Sequence, residues 1–244
     1  MRTFTAFFVT LITTLFSLNA FAEDVSFKAA DGLEINGELT KGTSSTAILL
    51  FHQAGSSRGE YQTIAPRLNT LGYTTLTIDQ RSGGSFGGLK NETAARAKAQ
   101  GLKTNFLDAR PDLEAAIAYA GALSGVSKVV VWGSSYSSSL VLVIAGEKSA
   151  KVDGVLSFSP GEYLRGVSVQ GAAKGISVPT FITSAKSEAG QWAAIHGAIP
   201  ANVDAVAFKP NGGGAHGSSA LIGARSSNPE EYWAAVESFL KANF

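Results

Sequence analysis

The sequence contains no cysteine in 244 residues. That excludes disulfides, a thiolate metal site, a cysteine nucleophile and a lipid attached through a thiol. Histidine is almost as scarce: only His52, His196 and His216 can supply an imidazole. Charge is sparse and balanced, with 20 Lys and Arg against 19 Asp and Glu and a formal net charge of +1. No block of one sign is present, so nothing offers a face to nucleic acid or another polyanion. Neither a G-x-x-x-x-G-K-[ST] loop nor an H-E-x-x-H pair occurs, which leaves nucleotide hydrolysis and zinc catalysis without a motif. No internal repeat, linker or low-complexity segment interrupts the chain. No cofactor is expected.

What is present is an apolar chain, 45% hydrophobic, long enough for one sizeable core and short for two. Its longest apolar run lies at the start, in "MRTFTAFFVTLITTLFSLNAFAED". One early charge, Arg2, precedes the run, and Ala20-Phe21-Ala22 places small residues at the two positions a signal peptidase reads. The pattern predicts a signal peptide over residues 1–22, cleaved after Ala22. An uncleaved anchor is the rival, but the threonines and the small residues at the end favour cleavage. Removal takes one basic residue and no acid, leaving 19 of each and a net charge of zero. Residues 23–244 then form a single domain, with a bacterial periplasm as its simplest location and no membrane contact after cleavage. A core of that size can do without disulfides.

Along that domain, short apolar runs alternate with helical spacing. "SFKAADGLEINGELT" reads as two strands around Asp31-Gly32, an antiparallel edge hairpin. "TAILLFH", "YTTLTID", "KVVVWG", "VDGVLSFSP", "VPTFITSA" and "VDAVAFKP" read as further strands. Between them, residues 60–72, 105–123 and 135–148 have helical spacing, and residues 228–244 close the chain as an amphipathic helix. Asn228 suits its cap and Pro229 its first turn. The alternation predicts an α/β fold: a mainly parallel sheet with helices on both faces. The polar stretch from Gly83 to Thr104 is expected to be a long surface excursion. Ligands of such sheets bind beyond the carboxyl ends of the strands.

One of those ends carries "GSSYS", Gly133 to Ser137, which fits G-x-S-x-G at four of five positions. The motif serves a sharp strand-to-helix reversal that thrusts one side chain out, flanked by small residues. The apex would be Ser135, at a helix N-terminus where backbone N–H groups favour negative charge. A serine-rich helix cap is the bland alternative. A hydroxyl needs a base. His216 lies in the glycine-rich loop "NGGGAHGSS" after the last strand, and glycines let such a loop fold over the sheet. His196 reads as a partly buried or capping residue, and His52 as structural, at a strand end. A third group must orient the imidazole. Glu188 is the only acid in its loop, with Asp153 and Glu162 as alternatives. Asp79 suits the binding of loop N–H groups. For the oxyanion, the N–H of Tyr136 and that of Ala54, or second Gln53, are the candidate donors.

These pieces together resemble the α/β-hydrolases over nearly all of the mature sequence. "LLFHQAGSS", "TIDQRSGGSFGG", "WGSSYSSSL" and "GGGAHG" carry the resemblance. "HQAG" and "GSSYS" look most similar to the small, lidless branch around dienelactone hydrolase. The order Ser135, Glu188, His216 is that of the fold class. The resemblance implies hydrolysis of small esters or lactones through a covalent acyl-enzyme. Two features depart from the pattern: Ser137 replaces the last glycine, and the acid is glutamate where aspartate is commoner. The nucleophile is serine, whereas dienelactone hydrolases often use cysteine. Rival functions are a catalytically idle binding protein on the same fold and a peptidase or amidase using the same residues. "GGGAHG" also fits G-x-G-x-x-G, but too close to the C-terminus for a dinucleotide unit. Trp132 and Trp233 read as core, while Trp192, Phe86 and Tyr163 could line a pocket.

Overall fold

A computed structural model describes residues 21–244. Nearly all of the expected signal peptide therefore lies outside the described residues. Eight strands form the main sheet: β1 Ala22–Lys28, β2 Glu34–Thr40, β3 Thr46–Phe51, β4 Thr74–Ile78, and, after a two-stranded ribbon of β5 Ser85–Phe86 and β6 Leu89–Lys90, β7 Lys128–Ser134, β8 Gly154–Phe158, β9 Thr180–Thr183 and β10 Ala205–Phe208. Their spatial order is β1-β2-β4-β3-β7-β8-β9-β10. β1 pairs antiparallel with β2, and β2 antiparallel with β4, while every pairing from β4 to β10 is parallel. This is the predicted α/β fold with its N-terminal hairpin.

The unbroken apolar runs of the central strands serve two cores at once, because successive side chains point to opposite faces. Ala47, Leu49 and Phe51 of β3, with Val129 and Val131 of β7, face the core beneath α3 Arg110–Gly121 and α4 Tyr136–Glu147. Ile48, Leu50, Val130 and Trp132 face the other core, closed by α1 Ile64–Thr70 and α7 Pro229–Asn243. Trp132, at the centre of that second core, stacks on Phe158 at 4.6 Å. α5 Val169–Ala173 and α6 Ala189–Ala198 complete the first side.

Three local expectations are corrected. The stretch after Gly83 is not a bare excursion: it holds α2 Glu92–Ala99, capped by Asn91, whose Oδ1 accepts from Ala94 N at 2.7 Å. Thr93, Ala94 and Ala97 are buried there. Asn228 precedes α7 but makes no side-chain cap. Its Oδ1 accepts from Gly214 N at 3.1 Å and its Nδ2 donates to Glu231 at 2.6 Å, tying the helix to the His216 loop. Trp192 is also core rather than pocket wall, 1% exposed with its indole N–H on Ser184. Among the described residues no helix is long and apolar enough to cross a membrane.

Candidate active site

The turn from β7 into α4 is tight because Gly133 has no side chain: a Cβ there would press on the Ser137 carbonyl. Ser135 takes φ +58°, a region L-residues avoid and one that marks strained functional turns. The result separates five neighbouring serines. From Val129 to Ala145, Ser135 alone is not buried. The others hold the turn together. Ser138 donates to the Ser135 carbonyl, Ser139 to Gly161 O, Ser134 to Glu60 Oε1 at 2.7 Å, and Ser137 to His52 O at 2.6 Å. Ser137 Oγ also accepts from Gln80 Nε2 at 2.7 Å. The serine in place of glycine therefore ties the elbow to the end of β3.

Two residues distant in sequence meet in line with Ser135. His216 Nε2 lies 2.8 Å from Ser135 Oγ, and His216 Nδ1 lies 2.7 Å from Glu188 Oε1. Glu188 ends a short 3-10 turn after β9, and His216 follows β10. Ser159, after β8, connects both loops: its hydroxyl donates to Glu188 Oε2 at 2.7 Å and accepts from Gly217 N at 2.8 Å. It also has positive φ, +59°. Burial pulls the Glu188 carboxyl upward, but the bonds from His216 and Ser159 outweigh it and hold its pKa below the usual value. The same Glu188 bond raises His216 above 6.5, against the pull of partial burial. A carboxylate thus orients the imidazole and favours its charged form.

His52 is different. It is fully buried, with Nδ1 on Gln53 O at 2.8 Å and Nε2 receiving Gln80 N at 2.9 Å. Burial lowers its pKa to about 4. Neutral His52, protonated on Nδ1, donates to the Gln53 carbonyl and so fixes the plane of the peptide that carries the Ala54 N–H. The Gln53 N–H itself donates to Glu60 Oε2 at 2.8 Å. The Gln53 N–H, the second choice as oxyanion donor, is therefore already engaged. Tyr136 N, at the first position of α4, has no intrahelical partner to give it. The Tyr136 ring is buried, stacked on Phe106 at 4.5 Å, and its hydroxyl accepts from Gln80. Phe106, Leu107, Tyr163 and Arg165 line a cavity of 470 Å³ on this side.

The other acids stand elsewhere. Asp153 accepts from Val129 N, Glu162 caps α5 at Val169 and Gln170, and Asp79 accepts from Arg58 N and Glu92 N, as its reading anticipated. His196 bonds the Ala205 carbonyl at 3.2 Å, away from Ser135. Phe86 lies under the Arg225 guanidinium. Sequence reasoning missed Glu60, Ser134 and Ser159. Only Glu60 left a trace, as a charged residue amid the apolar spacing of residues 60–72.

A family described as Serine aminopeptidase, S33 matches residues 42–189, more than half of the chain. Among solved structures, the esterase Pf2001 of Pyrococcus furiosus aligns with TM-score 0.67 at 19% identity, covering 96% of this chain and 97% of that one. Est1E of Butyrivibrio proteoclasticus with bound ferulic acid gives TM-score 0.69 at 14% identity, over 90% and 98%. A dienelactone hydrolase of Anabaena variabilis gives 0.62 at 19%, over 81% and 88%. A comparison with curated proteins found no match.

Proposed function

The chain belongs to the serine aminopeptidase S33 family of α/β-hydrolases, and from that premise we propose that it is a serine hydrolase of small carboxylic esters or lactones, exported to the bacterial periplasm. One observation carries the reading: an unbroken hydrogen-bonded line from Ser135 Oγ through His216 to Glu188. An idle fold has no need to hold a serine at positive φ with its hydroxyl on an imidazole.

In the proposed reaction, Ser135 Oγ attacks the substrate carbonyl carbon while His216 Nε2 takes its proton. The carbonyl oxygen becomes an oxyanion facing the Ala54 and Tyr136 N–H groups; losing one such donor typically costs about 3–4 kcal/mol of transition-state stabilisation. The imidazolium is stabilised by Glu188, then gives its proton to the leaving alcohol, and the acyl group stays on Ser135. Water enters, His216 removes its proton, and attack on the acyl-enzyme releases the acid and restores Ser135.

The test is release of p-nitrophenol from a short-chain acyl ester. Ser135→Ala is expected to lower turnover by roughly four to six orders of magnitude. A fluorophosphonate should label the wild type and not His216→Ala. Undiminished turnover in Ser135→Ala removes that residue from the mechanism. The family's name favours a peptidase as the second reading, so an aminoacyl p-nitroanilide belongs in the same assay; preference for it over the ester selects that reading. Export predicts a periplasmic product that begins at Glu23, read by intact mass.

A further inference from the structure

Beneath the site lies a carboxyl group the reaction does not use. Glu60 is 1% exposed. Its Oε2 accepts from Gln53 N at 2.8 Å, on the loop that presents Ala54. Its Oε1 accepts from Ser134 Oγ at 2.7 Å, one residue before the nucleophile. That hydroxyl in turn accepts from Ser218 N at 2.9 Å, two residues after His216. Three segments separated by long stretches of chain therefore converge on one carboxyl. Gly217 completes the fit: its φ is +61°, and a Cβ there would strike Ser134 Oγ.

We propose that Glu60 is a positioning residue of the active site, holding the oxyanion loop, the nucleophile elbow and the base loop in one register through Gln53 N and the Ser134 hydroxyl. The assignment rests on the hydrolase reading for its catalytic consequence but not for its geometry. Every contact Glu60 makes treats it as an acceptor, so the ionised form satisfies the network. The protonated form would have to donate to Ser134 Oγ, which would then lack an acceptor for its own proton. Burial raises the Glu60 pKa to about 7, while the bonds from Gln53 and Ser134 and the charges of His216 and Arg225 oppose that rise. The Tyr61 and Tyr136 phenols also face it, and burial keeps them neutral. The Glu60 charge adds to the support Glu188 gives the His216 imidazolium.

The experiment compares Glu60→Gln and Ser134→Ala with wild type, by ester turnover across pH and by amide hydrogen exchange. Misplacement of catalytic groups by a fraction of an ångström predicts a fall in kcat of roughly tenfold to a hundredfold for Glu60→Gln, with KM nearly unchanged. Its rising pH limb should move to lower pH, because His216 loses a neighbouring negative charge. Exchange at Gln53 and Ser218 amides should quicken in Glu60→Gln, and at Ser218 alone in Ser134→Ala. Ser134→Ala also covers the case in which Glu60→Gln does not fold. Wild-type kcat, pH limb and exchange in the variants overturn the proposal. If wild type hydrolyses no ester and takes no fluorophosphonate, the hydrolase reading has failed instead. Exchange at Gln53 and Ser218 then decides on Glu60 by itself.

Discussion

Two histidines stand on either side of the elbow, and they have been made into opposites. His52 is wholly enclosed and bonded to backbone, with a pKa near 4. His216 has a side chain 41% exposed, beside a carboxylate, and its pKa is raised. The first cannot take a proton near neutrality and so serves as a fixed brace for the Ala54 peptide. The second can take one and give it back. Two carboxyls repeat the division: Glu188, partly open and bonded to His216, is lowered, while enclosed Glu60 is raised to about 7. Residue type therefore does not assign the role. Burial against a polar network makes a brace, and partial exposure beside an opposite charge makes a proton carrier.

The sharpest way to break this contrast is to remove what distinguishes His216. Glu188→Gln keeps the shape but loses the charge, and kcat should fall by roughly a thousandfold to ten-thousandfold. Because the proposed reaction needs neutral His216, wild-type activity should rise with pH through a pKa above 6.5. In Glu188→Gln that limb should shift to lower pH; a stationary limb would separate His216 from Glu188. His52→Gln should act the other way. A loosened Ala54 peptide predicts a smaller kcat loss, roughly tenfold to a hundredfold, with the pH limb unmoved.

Stability gives the same histidine a second signature. The folded pKa of His52 lies below its unfolded value, from 6.5 down to about 4. As pH falls across that window the unfolded chain gains a proton the folded chain refuses, so stability is lost, and below about 4 the loss levels off. The wild-type minus His52→Gln difference in urea unfolding should therefore shrink by about 3 kcal/mol between pH 7 and pH 4. A flat difference would show that His52 is not held neutral. The smallest effect is expected from Ser137→Gly, which restores the usual motif. Loss of its bonds to His52 O and Gln80 should cost about 1 kcal/mol, seen as a lowered Tm, with kcat within a few-fold of wild type.

Some of this was open to reading in the chain and some was not. The apolar and β-branched runs marked the parallel strands, whose central members are covered on both faces. The elbow was legible because a tight turn leaves a local trace in Gly133 and its small neighbours. α2 was missed because its buried face is only Thr93, Ala94 and Ala97, too small to read as an apolar stripe, although Asn91 was a usable cap signal. Asn228 shows the limit of such signals: the same residue type failed to cap because Gly214 and Glu231 claimed its amide. Ala54 stood first and Gln53 second as donors on sequence, and nothing in the chain showed that Glu60, packed below, would take the Gln53 N–H.

By itself, then, the order of residues determined which segments become strands, where the chain reverses sharply, and which serine occupies the apex. These follow from backbone sterics and the hydrophobic period, which act over a few residues. Tertiary structure alone decided which histidine reaches that serine and which acid reaches that histidine, because the pairs are 81 and 28 residues apart along the chain. It also decided which polar groups are shut away from water, and burial, not sequence position, sets whether an ionisable group holds its charge.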